Sequence, residues 1–242
     1  DIIGTQVLLQ NEAGLQEVRF QKGPVFSQVL LADEINRATP KTQSALLEAM
    51  QEKQVTAAGL TMPLDLPFMV LATQNPIEME GTYPLPEAQM DRFFFKVTLP
   101  FPELSSVMDI INRTTGPERS LISPVLRLAD VENMMDIVRC IAVPEKAKEY
   151  AAKIVLATHN RNSKTSKTGF IRYGASPRAA QTLVLAAKAF AFLAGRTAVS
   201  LEDIRRAALP GLRHRIILSF EGEAEGISQE EIITEIVKAQ EV

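Results

Sequence analysis

The sequence is poor in the residues that build disulfides, metal sites and membrane spans. It has one cysteine, Cys140, so an internal disulfide is excluded and a reducing compartment is expected. Its two histidines, His159 and His214, are too few and too isolated to suggest a metal site. The longest apolar stretch, residues 179–194, is interrupted by Lys188 and is short for a bilayer. We therefore expect a cytoplasmic protein without a transmembrane segment.

The charge and composition are those of an ordinary globular protein and do not suggest nucleic-acid binding. The net charge is −3 and the pI is about 5.6, which gives no sign of a nucleic-acid surface. Hydrophobic residues make up 46% and charged residues 23% of the 242 residues, enough for the core of one large or two modest domains. The chain opens on Asp1-Ile2-Ile3-Gly4, and we expect this to be the middle of a domain rather than a targeting leader.

The first 120 residues have the pattern of an α/β domain. Two hairpins are predicted, at about residues 5–20 and at about residues 54–63, because short extended runs flank turn residues at both places. Between them, Thr39 and Pro40 predict the N-cap and first position of a helix that ends near Lys53.

The stretch from Gln28 to Glu34 is an apolar run of strand length that ends in two adjacent carboxylates, Asp33 and Glu34. This pattern predicts a buried parallel strand whose carboxyl end delivers acids to the edge where α/β sheets bind ligands. Consecutive strand residues point to opposite faces, so the two acids have different tasks. One acid could hold Mg²⁺ beside phosphates while the other polarises an attacking water. The alternative is a plain acid pair at the end of a strand.

A second apolar run, residues 68–72, is followed by Asn75. Its amide could orient a water or a phosphate oxygen without adding charge, or it could serve only as a turn residue before Pro76. A third strand is predicted at residues 93–99. Arg92, just before it, is either a structural salt-bridging residue or a finger offered to a neighbour's phosphate.

Beyond a boundary that we place near residue 120, the pattern is that of an all-helical domain, residues 121–242. Ser176 and Pro177 predict a helix start, which places Arg178 in the first turn. A cation there opposes the helix dipole. An anion such as a nucleotide γ-phosphate would explain it, and an exposed surface arginine is the alternative.

Five motifs occur in order along the chain: LADEINR at 31–37, KTQSALLEAMQE at 41–52, ATQNP at 72–76, EGTYPLPEAQMDRF at 80–93 and YGASPR at 173–178. Together they resemble the MoxR family of AAA+ ATPases, and the resemblance covers nearly the whole chain. It implies an α/β nucleotide domain followed by a helical lid, with the two hairpins as the helix-2 insert and the hairpin before sensor 1, elements that line a central pore in related machines.

The resemblance also implies roles for individual residues. Asp33 and Glu34 match the Walker B pair, with Asp33 at the Mg²⁺ ion and Glu34 activating water. Asn75 matches sensor 1, Arg178 matches sensor 2, and Arg92 matches the arginine finger that acts on the next subunit's ATP.

The function implied by the resemblance is ATP hydrolysis in a ring, expected to be a hexamer, with the site shared between subunits. The work done would be chaperone-like remodelling or maturation of client proteins, often beside a von Willebrand factor A domain protein. Two other readings stay open. One is a non-hydrolysing ring or interaction module, and the other is a magnesium-chelatase-like motor subunit, which shares the hairpins and the acid pair.

One departure from the family is the phosphate-binding loop. No Gly-x-x-x-x-Gly-Lys-Ser/Thr sequence occurs in the 242 residues, and the family pattern places it, with its strand, upstream of Asp1. Without the backbone amides and lysine of that loop, nothing would cradle the β- and γ-phosphates. We therefore expect a partial nucleotide-binding sheet, and we expect these 242 residues alone to fold poorly and to hydrolyse no ATP above background.

Overall fold

A computed structural model describes residues 2–10, 16–57, 59–75, 81–116, 122–159 and 166–240. The predicted turn of the first hairpin and Pro76 lie outside these residues. The chain divides into two compact units, Asp1–Phe93 and Phe94–Val242. The domain boundary near residue 120 stays a prediction, since it was placed by the change in sequence character and the compact units divide earlier.

Unit 1, Asp1–Phe93, combines hairpins, one parallel strand pair and one long helix. The elements in chain order are β1 (Gly4–Gln10), β2 (Gln16–Lys22), β3 (Val29–Ala32), α1 (Pro40–Glu52), β4 (Gln54–Ala57), β5 (Leu60–Pro63), β6 (Met69–Ala72) and α2 (Glu87–Met90), with short 3-10 turns at Pro24–Phe26 and Ile35–Arg37. Both hairpins predicted from the sequence are confirmed as antiparallel pairs, β1 with β2 and β4 with β5.

Helix α1 begins and ends as its sequence predicts. The Thr39 side chain accepts a hydrogen bond from the Thr42 N–H, and Pro40 occupies the first helical position. Lys53 ends the helix in the left-handed conformation, with φ 54°. The apolar face of α1, with Leu46 and Leu47, packs in the core of unit 1.

Unit 2, Phe94–Val242, is mainly helical. Its elements are α3 (Leu104–Thr115), α4 (Leu128–Cys140), α5 (Glu145–Ala157), β7 (Ile171–Tyr173), α6 (Pro177–Leu193), α7 (Leu201–Leu212), β8 (Ile217–Leu218), α8 (Phe220–Ala224) and α9 (Gln229–Ala239), with a 3-10 turn at Ser166–Phe170. The core gathers buried side chains from α5, α6, α7 and α9, many of them alanines on α6 that let neighbouring helices approach closely. A short antiparallel pair, β7 with β8, adds a small sheet to the helical region.

The strand predicted at residues 93–99 does not form, and this prediction is wrong. The backbone there bonds to helix α7 and the turn after it instead of to a neighbouring strand. The Lys96 N–H donates to the Pro210 carbonyl at 2.9 Å, and the Arg213 guanidinium donates to the Lys96 carbonyl at 2.8 Å. The hydrophobic pattern of an extended segment is the same whether or not a sheet edge is available for pairing. Periodicity alone therefore could not distinguish a paired strand from an extended segment that bonds to a helix.

None of the described helices has both the length and the hydrophobicity needed to traverse a bilayer. The long apolar helix at residues 179–194 is instead the buried helix α6, as the interruption by Lys188 suggests.

Candidate active site

The site is built on the parallel pairing of β3 with β6. Their register aligns Val29 with Met69 and Ala32 with Ala72. Parallel strands in register end at the same edge, so the residues that follow Ala32 and Ala72 meet there. This pairing brings Asp33, Glu34 and Asn75 to one edge of unit 1, as the two apolar runs predict.

Thr73 joins the two strand ends and was missed by sequence reasoning. Its hydroxyl donates to the Asp33 carboxylate and accepts the Glu34 N–H at 2.8 Å. Its own N–H donates to the Ala32 carbonyl at 3.1 Å, and its carbonyl accepts the Ile35 N–H at 3.0 Å. In the sequence, Thr73 is recognisable only as a hydroxyl residue that directly follows the second apolar run. Its bonds to Asp33 and Glu34 can be inferred only when the register of β3 and β6 is known.

Glu34 turns sharply out of the strand. Its backbone is left-handed, with φ 48° and ψ 51°, a conformation that costs a non-glycine residue on the order of 1 kcal/mol and is concentrated at functional sites. Its carboxylate pairs with the Arg37 guanidinium at 3.2 Å, and both side chains are open to solvent. Asp33 thus bonds to Thr73 while Glu34 pairs with Arg37, so the structure gives the two acids different surroundings.

A second layer of amides supports this edge. Asn36 donates its side-chain N–H to the Asn75 backbone carbonyl at 3.2 Å. Gln43, buried on α1, donates to the carbonyls of Ile35 and Tyr83 at 3.1 and 2.8 Å. Asn75 itself is half-buried, three residues beyond the end of β6. These bonds hold the turn that follows β3 against the segments that follow β6.

The two arginines are exposed residues on elements other than β3 and β6. Arg92 follows α2 on a solvent-exposed turn, where its N–H donates to the Gln89 carbonyl at 3.2 Å. Arg178 is exposed in the first turn of α6, in unit 2, and Pro177 precedes it at the first helical position as predicted. The exposure of both arginines fits a contact with a second subunit or a nucleotide, and it fits an ordinary surface residue equally well.

The oxygen ligands at this edge suit a magnesium ion that also binds a nucleotide, and they do not suit a metal ion held entirely by protein side chains. Asp33 offers a solvent-exposed carboxylate, a hard oxygen ligand. Within the described ranges, no group of three or more His, Cys, Asp or Glu side chains could hold a metal ion. Mg²⁺ is commonly bound by one or two carboxylates together with substrate phosphates and waters. The residues present therefore fit an ion that arrives with a nucleotide, held at Asp33.

Comparison with known proteins identifies the family. The family described as "ATPase family associated with various cellular activities (AAA)" matches residues 1–95, and the AAA lid domain matches residues 164–236. The Mycobacterium tuberculosis chaperone MoxR1 is 40% identical over 98% of this chain and 63% of its own length. This chain belongs to the MoxR family of AAA ATPases.

Two further proteins are similar to almost the whole of this chain. The Bacillus subtilis protein YeaC is 41% identical over all of this chain and 73% of its own length. The crystal structure of a candidate ATPase from Cytophaga hutchinsonii shares 44% identity and a TM-score of 0.90 over 99% of this chain and 72% of that one. The chain thus spans between 63% and 73% of the length of these three relatives.

The expected fold class, an α/β AAA domain followed by a helical lid, is confirmed by these matches. The roles of Asp33, Glu34, Asn75, Arg92 and Arg178 stay predictions, because family membership does not by itself show what each side chain does.

Proposed function

We propose that this MoxR-family protein hydrolyses ATP at the edge formed by β3 and β6. The observation that supports the proposal is the in-register parallel pairing, which sets Asp33 and Glu34 beside the segment that carries Asn75. A single edge then offers a magnesium ligand, a candidate base and a neutral amide, the set that phosphoryl transfer to water requires.

Each residue has one task in this proposal. Asp33 holds Mg²⁺, which would neutralise charge on the phosphate oxygens. Glu34 leaves Arg37 and accepts a proton from a water whose oxygen attacks the γ-phosphorus, as the bond to the bridging oxygen breaks and ADP departs. Asn75 orients that water or a γ-phosphate oxygen. Arg178 stabilises charge on the γ-phosphate, and Arg92 does so for the neighbouring subunit's nucleotide.

The assembly and the task complete the proposal. The protein acts as a ring, with six subunits as the working hypothesis, because the task proposed for Arg92, which is exposed on the turn after α2, is to reach the nucleotide of a neighbouring subunit. The hydrolysis cycle drives chaperone-like remodelling of client proteins in the cytoplasm, with a von Willebrand factor A domain protein as a partner. The relationship to the protein named chaperone MoxR1 supports this task.

Phosphate binding is a separate part of the proposal. The 242 residues contain no Gly-x-x-x-x-Gly-Lys-Ser/Thr sequence, so the amides and lysine that cradle phosphates in such a loop must come from elsewhere. We expect the 242-residue chain by itself to show no hydrolysis above background, and we expect the full-length protein to be active.

The test is phosphate release by the purified full-length protein with ATP and Mg²⁺. Glu34→Gln is expected to lower kcat by at least about a hundredfold while nucleotide binding is kept, because only proton transfer is removed. Glu52→Gln, an exposed acid at the end of α1, is the matched control and should retain activity. Loss of binding in Glu34→Gln, or turnover unchanged from wild type, would refute its role. Absence of any turnover in the wild-type full-length protein would favour the non-hydrolysing module.

A further inference from the structure

Gln43 occupies a position that the catalytic roles above do not use. It lies on α1 and is 3% exposed. Its single side-chain nitrogen donates two hydrogen bonds, to the Ile35 carbonyl at 3.1 Å and to the Tyr83 carbonyl at 2.8 Å. Both N–H groups of the amide are therefore used, and each bonds to a different segment of the chain.

The first of these segments is the acidic turn, residues 33–37, which carries Asp33 and Glu34. This turn has other supports besides Gln43. Thr73 bonds to the N–H groups of Glu34 and Ile35, and Ile35 is 4% exposed in the core of unit 1. Removing the Gln43 amide would consequently leave the acidic turn held in place.

The second segment, residues 81–86, is called here the Tyr83 segment. The Tyr83 N–H donates to the Asn36 carbonyl at 2.6 Å, and its carbonyl accepts from Gln43. Both backbone groups of Tyr83 thus bond to α1 or to the acidic turn. Without Gln43, the Tyr83 carbonyl would lose its partner on α1.

The chain between the Tyr83 segment and Arg92 is short and conformationally restricted. Pro84 and Pro86 restrict the backbone on both sides of Leu85, which is 5% exposed in the core. Pro86 accepts the first helical bonds of α2, and the Arg92 N–H bonds to the last turn of that helix. Because Pro86 is the N-cap of α2, the place of the Tyr83 segment helps to fix where α2 and Arg92 lie.

We infer that Gln43 is a positioning residue that ties the finger arginine, Arg92, to the same chain's acidic turn. The inference rests on the proposed function. In that function, Gln43 links the acidic turn of a subunit to Arg92 of the same subunit, which acts on the nucleotide of the neighbouring subunit. Misplacing a charge-stabilising group by about 1 Å costs rate much more than it costs nucleotide binding.

The test uses the full-length protein with Gln43→Met, which keeps the length of the side chain and removes both donors. We expect kcat to fall about tenfold or more, with nucleotide affinity within about twofold of wild type. Gln51→Met, an exposed glutamine on the same helix, is the control and should change neither. Wild-type kcat in Gln43→Met would overturn the inference.

Mixed assemblies separate a misplaced finger from a damaged acidic turn. A Glu34→Gln subunit keeps its finger, and an Arg92→Ala subunit keeps its acids, so mixing these two should recover activity. Gln43→Met should recover activity when mixed with Glu34→Gln and should gain none when mixed with Arg92→Ala. The reverse pattern, or no recovery in either mixture, would overturn the role of Gln43.

The same experiment distinguishes failure of the inference from failure of the proposed function. If Glu34→Gln alone retains full turnover, or if the Glu34→Gln and Arg92→Ala mixture stays inactive, the shared site is wrong and the inference falls with it. Thermal unfolding is measured for every variant. If Gln43→Met does not fold, Gln43→Asn, which keeps donors but is one methylene shorter, takes its place, and failure of both to fold would mark Gln43 as structural and overturn the inference.

Discussion

The two units bury their hydrophobic residues to different extents. Unit 2 gathers 24 buried hydrophobic side chains in one described cluster, whereas the cluster of unit 1 has 10. In unit 1, one face of the β3–β6 pair leaves Val29, Leu31, Met69 and Leu71 between 51% and 62% exposed. A helix satisfies its backbone hydrogen bonds internally, while a two-stranded sheet has open edges and faces that need other elements. The helices α5, α6, α7 and α9 are accordingly better packed than the β3–β6 pair.

The largest expected loss of stability comes from removing a core side chain in each unit. Ile154→Ala in unit 2 is expected to lower the free energy of unfolding by about 4 kcal/mol, and Leu46→Ala in unit 1 by about 3 kcal/mol. Both side chains are at most 2% exposed, but the smaller core has more freedom to relax around a cavity. Urea unfolding measures both, with Leu31→Ala, at an exposed position, expected to cost under about 0.5 kcal/mol. A greater loss for Leu46→Ala would contradict the ranking.

The next test compares the caps of two helices. In α7, Asp203 accepts from the N–H and hydroxyl of Ser200 and makes two bonds to the Arg196 guanidinium, at 2.6 and 2.8 Å. The Arg196 bonds, together with those from Ser200, lower the pKa of Asp203 from 3.8 to about 2. In α1, the Thr39 hydroxyl accepts from the Thr42 N–H at 3.4 Å and shares a hydrogen bond with the Thr42 hydroxyl at 3.1 Å, with no charged partner among these bonds. Asp203→Asn is therefore expected to cost about 2 kcal/mol and Thr39→Ala about 1 kcal/mol or less.

The pH dependence distinguishes these two caps. Because the pKa of Asp203 is lowered on folding, its contribution is complete above pH 3.8 and is lost as the pH falls towards about 2. Asp203→Asn should therefore approach wild-type stability as the pH falls through this window, while the Thr39→Ala difference should stay constant. Unfolding measured from pH 5 to pH 2 checks this, and parallel curves for wild type and Asp203→Asn would show that Asp203 contributes no such stability.

The smallest expected effect concerns backbone strain and should not depend on the unit. Gly59, in the turn between β4 and β5, has φ +78°, and Gly195, after α6, has φ +68°. A Cβ at either position would meet nothing within 4 Å, so only the left-handed conformation penalises alanine. Gly59→Ala and Gly195→Ala should each cost about 1 kcal/mol in thermal unfolding. A clearly unequal cost would mean that the surrounding core contributes to the strain.

Sequence reasoning succeeded where the signal is local. The cap and end of α1 at Thr39 and Lys53, the two hairpins and the start of α6 at Pro177 depend on residues close in sequence. It failed at residues 93–99, because a strand needs a partner and the backbone bonded to Pro210 instead. At the candidate site it named Asp33, Glu34 and Asn75 but missed Thr73 and Gln43, whose bonding partners lie up to 40 residues away.

The sequence by itself determined the two hairpins, the bounds of α1, the start of α6, the positions of the acids and amide at strand ends, and the family that its motifs resemble. These follow from periodicity, caps and motifs, which are properties of neighbouring residues. Only the tertiary structure decided that β3 and β6 pair in register, that Thr73 bridges Asp33 and Glu34, and that Gln43 binds the Tyr83 segment to the acidic turn. Those bonds join distant parts of the chain, and their partners are chosen by how the elements pack.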